Sequence, residues 1–388
     1  MKKIIISFVL IISIYIIPVV GYALEEDMNN LIKNASSGLL MDADSGKIIV
    51  KKDINKKVAV ASMTKMVAQI IVLENIQNGK IKWDDIVTVS KNAADMGGSQ
   101  IYIAEGEKIS VEDLMKGISM ASGNDATVAM AEYISGTEKK FVELMNKKVK
   151  DLGLKNTYFK NCTGLDEDGH YSSAYDMAVI ARHLIMEHPD IIKFSSVYED
   201  YLREDTDNKF WLVNTNKLVR FYEGADGLKT GHTDNAGYCL AATSKRNGLR
   251  LIAIVLGEPS ASVRNNETME LLNYGYQNLK ANKLKDKGDV VKKVKVDKAD
   301  KEIASVVLKD DLYVTENVND KDLKYDYDVF VDDIKLPIKK GDVVGNLDIY
   351  LNNKVIKSVE LTVDEDLNEI SFWNLIRNEF LDLVSGKM

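Results

Sequence analysis

Between residues 60 and 80 the chain reads "VASMTKMVAQIIVLENIQNGK", and apolar side chains fall at nearly every helical angle: Met63, Met66, Val67, Ile70, Ile71, Val72, Leu73 and Ile76. A pattern that is hydrophobic all round predicts a helix buried on every side, yet Ser62 and Lys65 stand in its first turn. Helical periodicity dominates from about residue 58 to 192. It continues through "SVEDLMKGISM", with Ser110 as N-cap and Asp113 three positions on, then "DATVAMAEYIS", "EKKFVELMNKKVKDLGL" and "SSAYDMAVIARHLIMEHP". Strand patterns frame this helical middle. Before it, "SSGLLMDADSGKIIVKKD" predicts a strand, a tight turn about residues 42–46 and a second strand. After it, "GLKTG" and "GYCLAATSKRNGLRLIAIVLG" alternate as strands, with Asn247 and Gly248 as a hairpin turn. Strands at both ends of a helical stretch predict an α+β domain whose single sheet is completed by its first and last segments. The "DADSG" turn hints at a calcium loop but fails as one, because the glycine falls a position early and Lys47 and Asp53 stand where an EF-hand needs its glycine and glutamate.

A helix carrying Met269, Leu271, Leu272, Tyr274 and Tyr276 closes this domain. The lysine-rich "NLKANKLKDKGDVVKKVKVDKADK" follows as a shift in composition, with a boundary near Ala281. Beyond it, "KEIASVVL", "DLYVTE", "YDVFVDDIKLPI", "GDVVGNLDIYL" and "KVIKSVELTV" alternate over short runs and predict a small all-β domain. The last stretch, "NEISFWNLIRNEFLDLVSGKM", places Phe372, Trp373, Ile376, Phe380, Leu383 and Val384 on one helical face. That face either docks on the β domain or lies on a membrane surface. Its position after the β domain has ended favours the membrane surface.

Met1-Lys2-Lys3, the apolar run of residues 4–20 and the small-residue end "GYA" form the pattern of a secretory signal peptide with cleavage after Ala23. An uncleaved anchor is the rival reading of the same run, and either one places the remainder outside the cytoplasmic membrane. The expected parts are thus a signal peptide (1–23), a first domain (24–280), a β-rich domain (281–367) and an amphipathic membrane-associating helix (368–388). The composition, 45% hydrophobic and 28% charged over 388 residues, is that of a globular protein. The formal charge of −8, more negative by two once Lys2 and Lys3 are removed, excludes a nucleic-acid binder. Two cysteines, Cys162 and Cys239, predict buried thiols rather than a disulfide framework, with a single bridge open to an exported protein. His170, His183, His188 and His232 show no ligand spacing, so no metal is expected.

The chemistry begins at the anomaly in the buried helix. Ser62 and Lys65 are three residues apart and share one helical face. A serine hydroxyl needs a base to become a nucleophile, and a lysine serves as that base once burial or a neighbouring cation lowers its pKa. Alone, S-x-x-K is a weak signal. It gains weight from "ASGND", with Ser122 and Asn124 in a loop between helices, and from "DGLKTGHT", with Lys229, Thr230 and Gly231 on a strand. The ordered set S-x-x-K, S-x-N, K-T-G resembles the penicillin-binding protein and serine β-lactamase superfamily. Within it, "ASMTKM", "MKGISMASGNDATVAMAE", "SSAYDMAVIAR", "NTNKLV", "GADGLKTGHTDNAGYCLAAT" and "VRNNETMELLNYGY" are similar to the low-molecular-weight D-alanyl-D-alanine carboxypeptidases, and "GDVVGNLDIYLNNKVIKSVELT" to their C-terminal β domain. The likeness spans residues 35–363, and the terminal helix resembles the family's membrane anchor. "NCTGLD" departs from it, with Cys162 and Thr163 where many relatives carry proline and histidine, a departure expected to touch no catalytic atom.

The resemblance implies a β-lactamase/transpeptidase-like domain, a helical cluster on an antiparallel sheet. It also implies a serine carboxypeptidase that releases the terminal D-alanine of peptidoglycan pentapeptides, uses no cofactor and is acylated by β-lactams. Ser62 would be the nucleophile, Lys65 its base, Ser122 the proton relay to the leaving amine and Asn124 a peptide ligand. Lys229 would be the second cation that depresses Lys65. The backbone N–H groups of Ser62 and His232 would form the oxyanion hole. Thr230 would bind the terminal carboxylate, with Arg264 either beside it or spent in a surface salt bridge. Gly231 would admit an extended substrate strand to the sheet edge. A serine β-lactamase is the first alternative, weakened by the lack of an E-x-x-L-N segment between Asn124 and Lys229. A non-catalytic wall-binding scaffold is the second.

Overall fold

The computed structural model describes residues 31–204 and 206–370. The expected signal peptide and residues 371–388 of the expected terminal helix lie outside the described residues. Two compact units emerge: one holds the chain up to Arg246 and Arg250–Gly275, the other Asn247–Leu249 and the chain from Tyr276 onward.

In the first unit a five-stranded antiparallel sheet is built from β1 (Ser37–Asp42), β2 (Ile48–Lys52), β3 (Ala225–Thr233), β4 (Gly237–Arg246) and β5 (Leu249–Glu258). Its order is β2-β1-β5-β4-β3, so the first strands pair with the last, Leu39 opposite Ile254 and Met41 opposite Ile252. The β1–β2 turn closes on Asp42, whose carboxylate accepts hydrogen bonds from the Ser45 amide at 3.2 Å and hydroxyl at 2.5 Å. The "DADSG" stretch is thus a self-capped turn. Every residue of β1 is buried, which requires cover on both faces and explains apolar runs without clean alternation.

Five helices build the layer that carries the site, α1 (Lys65–Gln77), α2 (Val111–Lys116), α3 (Asn124–Ser135), α4 (Glu138–Asp151) and α5 (Ala174–Glu187), while α6 (Ala261–Asn278) covers the sheet's other face, where Gly275 meets Leu40 and Leu251. Side-chain caps start several of them: the hydroxyls of Ser110, Thr137 and Ser173 accept from the amides of Asp113, Lys140 and Asp176. Arg182 on α5 donates to the carbonyls of Ala43 at 2.6 Å and Asp44 at 2.7 Å, pinning that helix to the β1–β2 turn. All residues of α1 from Lys65 to Leu73 are buried, as its all-round apolar pattern predicts. The α-helix begins at Lys65 rather than at Ser62. Ser62 sits in the preceding 3-10 turn, Ala61–Thr64, and the pairing survives because residues three apart eclipse one another in a 3-10 turn. Two short hairpins, Ile86–Thr88 with Lys108–Ser110 and Glu199–Leu202 with Phe210–Val213, interrupt stretches without strong strand periodicity.

The second unit is all β among its described residues after α6. Strands β7 (Val290–Lys295), β8 (Ile303–Leu308), β10 (Asp326–Val331), β11 (Val343–Leu351) and β12 (Lys354–Val363) form a sheet in the order β7-β8-β12-β11-β10. A separate pair joins β6 (Leu279–Lys285) to β9 (Leu312–Asn317). Val306, Leu308, Leu347, Ile349, Leu361 and Val363 fill its core. The lysine-rich stretch about the expected boundary near Ala281 forms β6 and β7. On β7, an edge strand, Lys292, Lys293 and Lys295 are exposed while Val291 and Val294 tuck inward; charge on an edge discourages pairing with another chain. At the end of the described residues Leu367 bridges to Ile338 and Glu369 to Ala299. Residues 368–370 are therefore extended, where the terminal helix was expected to begin. Among the described residues no helix is long and apolar enough to cross a membrane.

Candidate active site

The site is assembled from the turn before α1, the turn before α3, strand β3 and the loop at residues 161–164. Lys65 is fully buried, and its Nζ lies 2.8 Å from Ser62 Oγ, 2.7 Å from Asn124 Oδ1 and 2.6 Å from the Thr163 carbonyl. The Asn124 amide is oriented by its other end, which donates to the Gly97 carbonyl at 2.7 Å. Asn124 Oδ1 and the Thr163 carbonyl are acceptors only, so they take two of the hydrogens on Nζ. The remaining position faces Ser62. When Lys65 is an ammonium that position is a third N–H; when it is a free amine it is a lone pair aimed at the serine hydroxyl. Burial pushes Lys65 down to about 7, with nearby Asp125 opposing, so both states are populated at neutral pH.

Lys229 is also fully buried, and burial first, then the charges on Lys65 and Arg264, holds it well below the usual lysine range. Burial is the main cause of the lowering of both amines. The Lys229 Nζ donates to the Thr230 carbonyl at 3.0 Å. Thr230 Oγ1 meets Thr215 Oγ1 at 2.8 Å, and the Thr215 amide donates to the Met120 carbonyl at 3.0 Å. This chain of bonds ties strand β3 to the turn that presents Ser122. Ser122 adopts the left-handed conformation (φ 62°, ψ 31°), and its buried hydroxyl has no hydrogen-bond partner. A non-glycine residue held there with an unspent hydroxyl marks strain kept for a ligand.

Gly231 has a nearer purpose than admitting substrate. A Cβ at that position would lie 2.5 Å from the Val60 carbonyl, so glycine is what lets β3 close on the Ser62 turn. Strand β3 is nonetheless the sheet's outer strand, pairing only with β4 among the described residues. The His232 side chain is exposed and stacks on Tyr238 with ring centroids 4.0 Å apart, away from any triad role. Arg264 is 5% exposed and forms no ion pair among the described residues; its guanidinium donates only to Asn265 Oδ1, at 3.0 and 3.2 Å. Among the described residues it makes no surface salt bridge. Nearby Glu258 offers no counter-charge at neutral pH, because burial and the Glu267 carboxylate push it up to about 8.

The loop "NCTGLD" departs from the family pattern in its side chains and reaches the site through its backbone: the Thr163 carbonyl is the closest partner of Lys65. The loop is shaped by Asn161, whose Oδ1 accepts from the Gly164 amide at 2.8 Å. Gly164 (φ +84°) presses on the nucleophile's own turn; a Cβ there would lie 2.0 Å from the Ala61 carbonyl. Ala61 itself has φ +47°. Carbonyl groups such as those of Thr163 and Gly97 carry no side-chain signature, so sequence motifs pass over them. Both cysteines are free and buried, Cys162 with its Sγ 3.3 Å from Glu138 Oε1.

Residues 26–260 match the family model described as D-alanyl-D-alanine carboxypeptidase, and residues 280–369 match that of the penicillin-binding protein 5 C-terminal domain. The chain belongs to the D-alanyl-D-alanine carboxypeptidase family. It is similar to the D-alanyl-D-alanine carboxypeptidase DacF of Bacillus subtilis, 42% identical over 365 residues and 92% of each chain. DacA of Escherichia coli K12 is 35% identical over 351 residues, 88% of this chain and 86% of that one. Among solved structures, penicillin-binding protein 5 from Haemophilus influenzae superimposes with a TM-score of 0.66 at 34% identity, covering 87% of this chain and 98% of that one. Penicillin-binding protein D2 from Listeria monocytogenes, solved in an ampicillin-bound form, matches at 30% identity and TM-score 0.57, over 62% of this chain and 97% of that one. The family is one of serine-type hydrolases, and the K-T-G strand, the S-x-N turn and the S-x-x-K helix of this member meet around Lys65.

Proposed function

We propose that the protein removes the terminal D-alanine from peptidoglycan pentapeptide stems through an acyl-enzyme on Ser62, and that penicillin acylates the same hydroxyl. The observation that carries this reading is the coordination of Lys65. Two fixed acceptors saturate two of its hydrogens and leave its third direction on Ser62 Oγ at 2.8 Å.

The substrate strand adds to the outer edge of β3, with its terminal carboxylate at Thr230 and within the field of the unpaired Arg264 charge. Neutral Lys65 takes the Ser62 proton as Oγ attacks the carbonyl of the penultimate D-alanine. The backbone N–H groups of Ser62 and His232 hold the oxyanion. The Ser122 hydroxyl passes a proton to the departing D-alanine amine, and Lys229 supplies positive potential beside it. Water then attacks the ester and restores Ser62. Asn124 has both ends committed, one to Lys65 and one to the Gly97 carbonyl, so it acts first by orienting the base.

Mass spectrometry of the protein mixed with diacetyl-L-Lys-D-Ala-D-Ala, and separately with benzylpenicillin, tests the reading. Released D-alanine together with a penicilloyl adduct on Ser62 is expected. Hydrolysed penicillin without an accumulating adduct would indicate a β-lactamase instead, and neither product would leave a wall-binding scaffold. The same reading places the mature chain outside the cytoplasmic membrane, exported by residues 1–23 and held peripherally by its terminal segment. Because residues 368–370 belong to the β unit, the informative truncation removes 371–388. Flotation with liposomes is expected for the longer form alone, and equal flotation of both forms would end the anchor proposal.

A further inference from the structure

At the far end of α1, three side chains from two helices converge without any part in the chemistry above. Glu74 lies nine residues after Lys65, about 13 Å along the helix. His183 lies on α5, and His188 caps that helix's C-terminus. One ligand atom from each falls within 4.8 Å of the others. His188 is 4% exposed, and the Nε2 atoms of both histidines are buried with no hydrogen-bond partner. An orphaned buried polar atom is costly and calls for an explanation. Two at one place call for a shared one.

The hydrogen bonds settle which nitrogen of His188 is free to act. Gln77 donates its Nε2 to the Glu187 carbonyl at 3.1 Å, which turns its Oε1 toward His188 Nδ1 at 2.9 Å. Oε1 can only accept, so Nδ1 carries the hydrogen and Nε2 presents a lone pair. That arrangement, one ring nitrogen donating to an oxygen and the other left bare, is how a metal-ligating histidine is held. The lone pair faces Glu74 Oε1 at 3.9 Å.

We propose that Glu74, His183 and His188 form a binding site for a divalent transition-metal ion of the zinc type. Two imidazole nitrogens and one carboxylate oxygen suit zinc rather than magnesium or calcium, which take oxygen ligands. Ligand bonds near 2.0–2.1 Å put neighbouring ligand atoms about 3.3 Å apart in a tetrahedral shell, so three atoms within 4.8 Å of one another need close by no more than about 1.5 Å. Solvent completes the shell from the side on which Glu74 and His183 are part-exposed. Helical spacing could not announce this site, because His183 and His188 are five residues apart and the third ligand comes from another helix. Lys148 on α4 is the competitor: its Nζ pairs with Glu74 Oε1 at 2.5 Å and must yield that oxygen, or share the carboxylate, when the ion enters. A bound ion would clip the end of α1 to α5, and it would do so without contact with Ser62 or Lys65.

Calorimetric titration of the full chain, purified without an affinity tag and stripped with EDTA, with zinc chloride tests the site. One ion per chain is expected, with a rise in melting temperature on loading. The paired substitution His183→Gln and His188→Gln should weaken binding by at least about tenfold, with acylation by penicillin unchanged. Lys148→Met should tighten it several-fold by freeing Glu74. Failure of the unsubstituted chain to bind zinc, or equal affinity in the paired variant, would overturn the proposal. Should the paired variant not fold, Lys148→Met decides alone, and affinity no greater than that of the unsubstituted chain would overturn it.

Discussion

Replacing Ser62 with alanine is expected to abolish D-alanine release and penicillin labelling together, with a fall in acylation of at least about 10⁴-fold. The substitution removes one oxygen that is part-buried and bonded to Lys65, so the fold should persist and the melting temperature should move little. Simultaneous loss is the point of the experiment. If peptide and antibiotic are opened by the same hydroxyl, no substitution at Ser62 can spare one reaction and remove the other. Intact-mass measurement after incubation with benzylpenicillin, paired with chromatographic assay of D-alanine, reads both arms. A penicilloyl adduct persisting at the unsubstituted rate would show that another residue is the nucleophile.

The second large effect concerns Lys65. A base works only when unprotonated, and burial places this lysine at about 7. The second-order rate of acylation by benzylpenicillin is therefore expected to climb tenfold per pH unit on the acid side, bend near pH 7 and level above it. Lys65→Met should lower the rate by about 10²–10⁴-fold and erase that limb. It also strands the Asn124 and Thr163 oxygens, at about 1–3 kcal/mol each, so folding must be checked by circular dichroism. Lys65→Arg separates the two effects, because a guanidinium still donates but does not release its proton in this range. Both variants should be inactive, whether or not Lys65→Met folds well. A limb that survives in Lys65→Arg would assign the titration to another group.

How much of this was legible in the chain differs by level. The buried helix, the closing of the sheet by its first and last strands and the Asn247–Gly248 turn all rest on local periodicity or turn chemistry, and the structure shows them. The side chains that meet at the site were legible as well, because S-x-x-K needs only three residues to bring serine and amine together. What sequence could not carry was the backbone. The Thr163 and Gly97 carbonyls act through peptide groups that every residue possesses, and only the path of the chain puts them beside Lys65 and Asn124. The close packing that Gly231 also permits was hidden for a related reason, since the atom it makes room for belongs to Val60, far away in sequence. The lysine-rich strands β6 and β7 hid behind composition: on edge strands, solvent-facing lysines mask the alternation that their apolar partners would show. Glu74, His183 and His188 were scattered across helix ends, where no spacing rule joins them.

The burial of α1 on every side changes what counts as part of the catalyst. Lys65 is fully buried at the start of a helix whose residues through Leu73 are buried with it. That exclusion of solvent is what turns an ordinary amine into a base at neutral pH. Base strength in this enzyme is thus a collective property of the interior, and selection for rate acts on core residues as directly as on the three motifs.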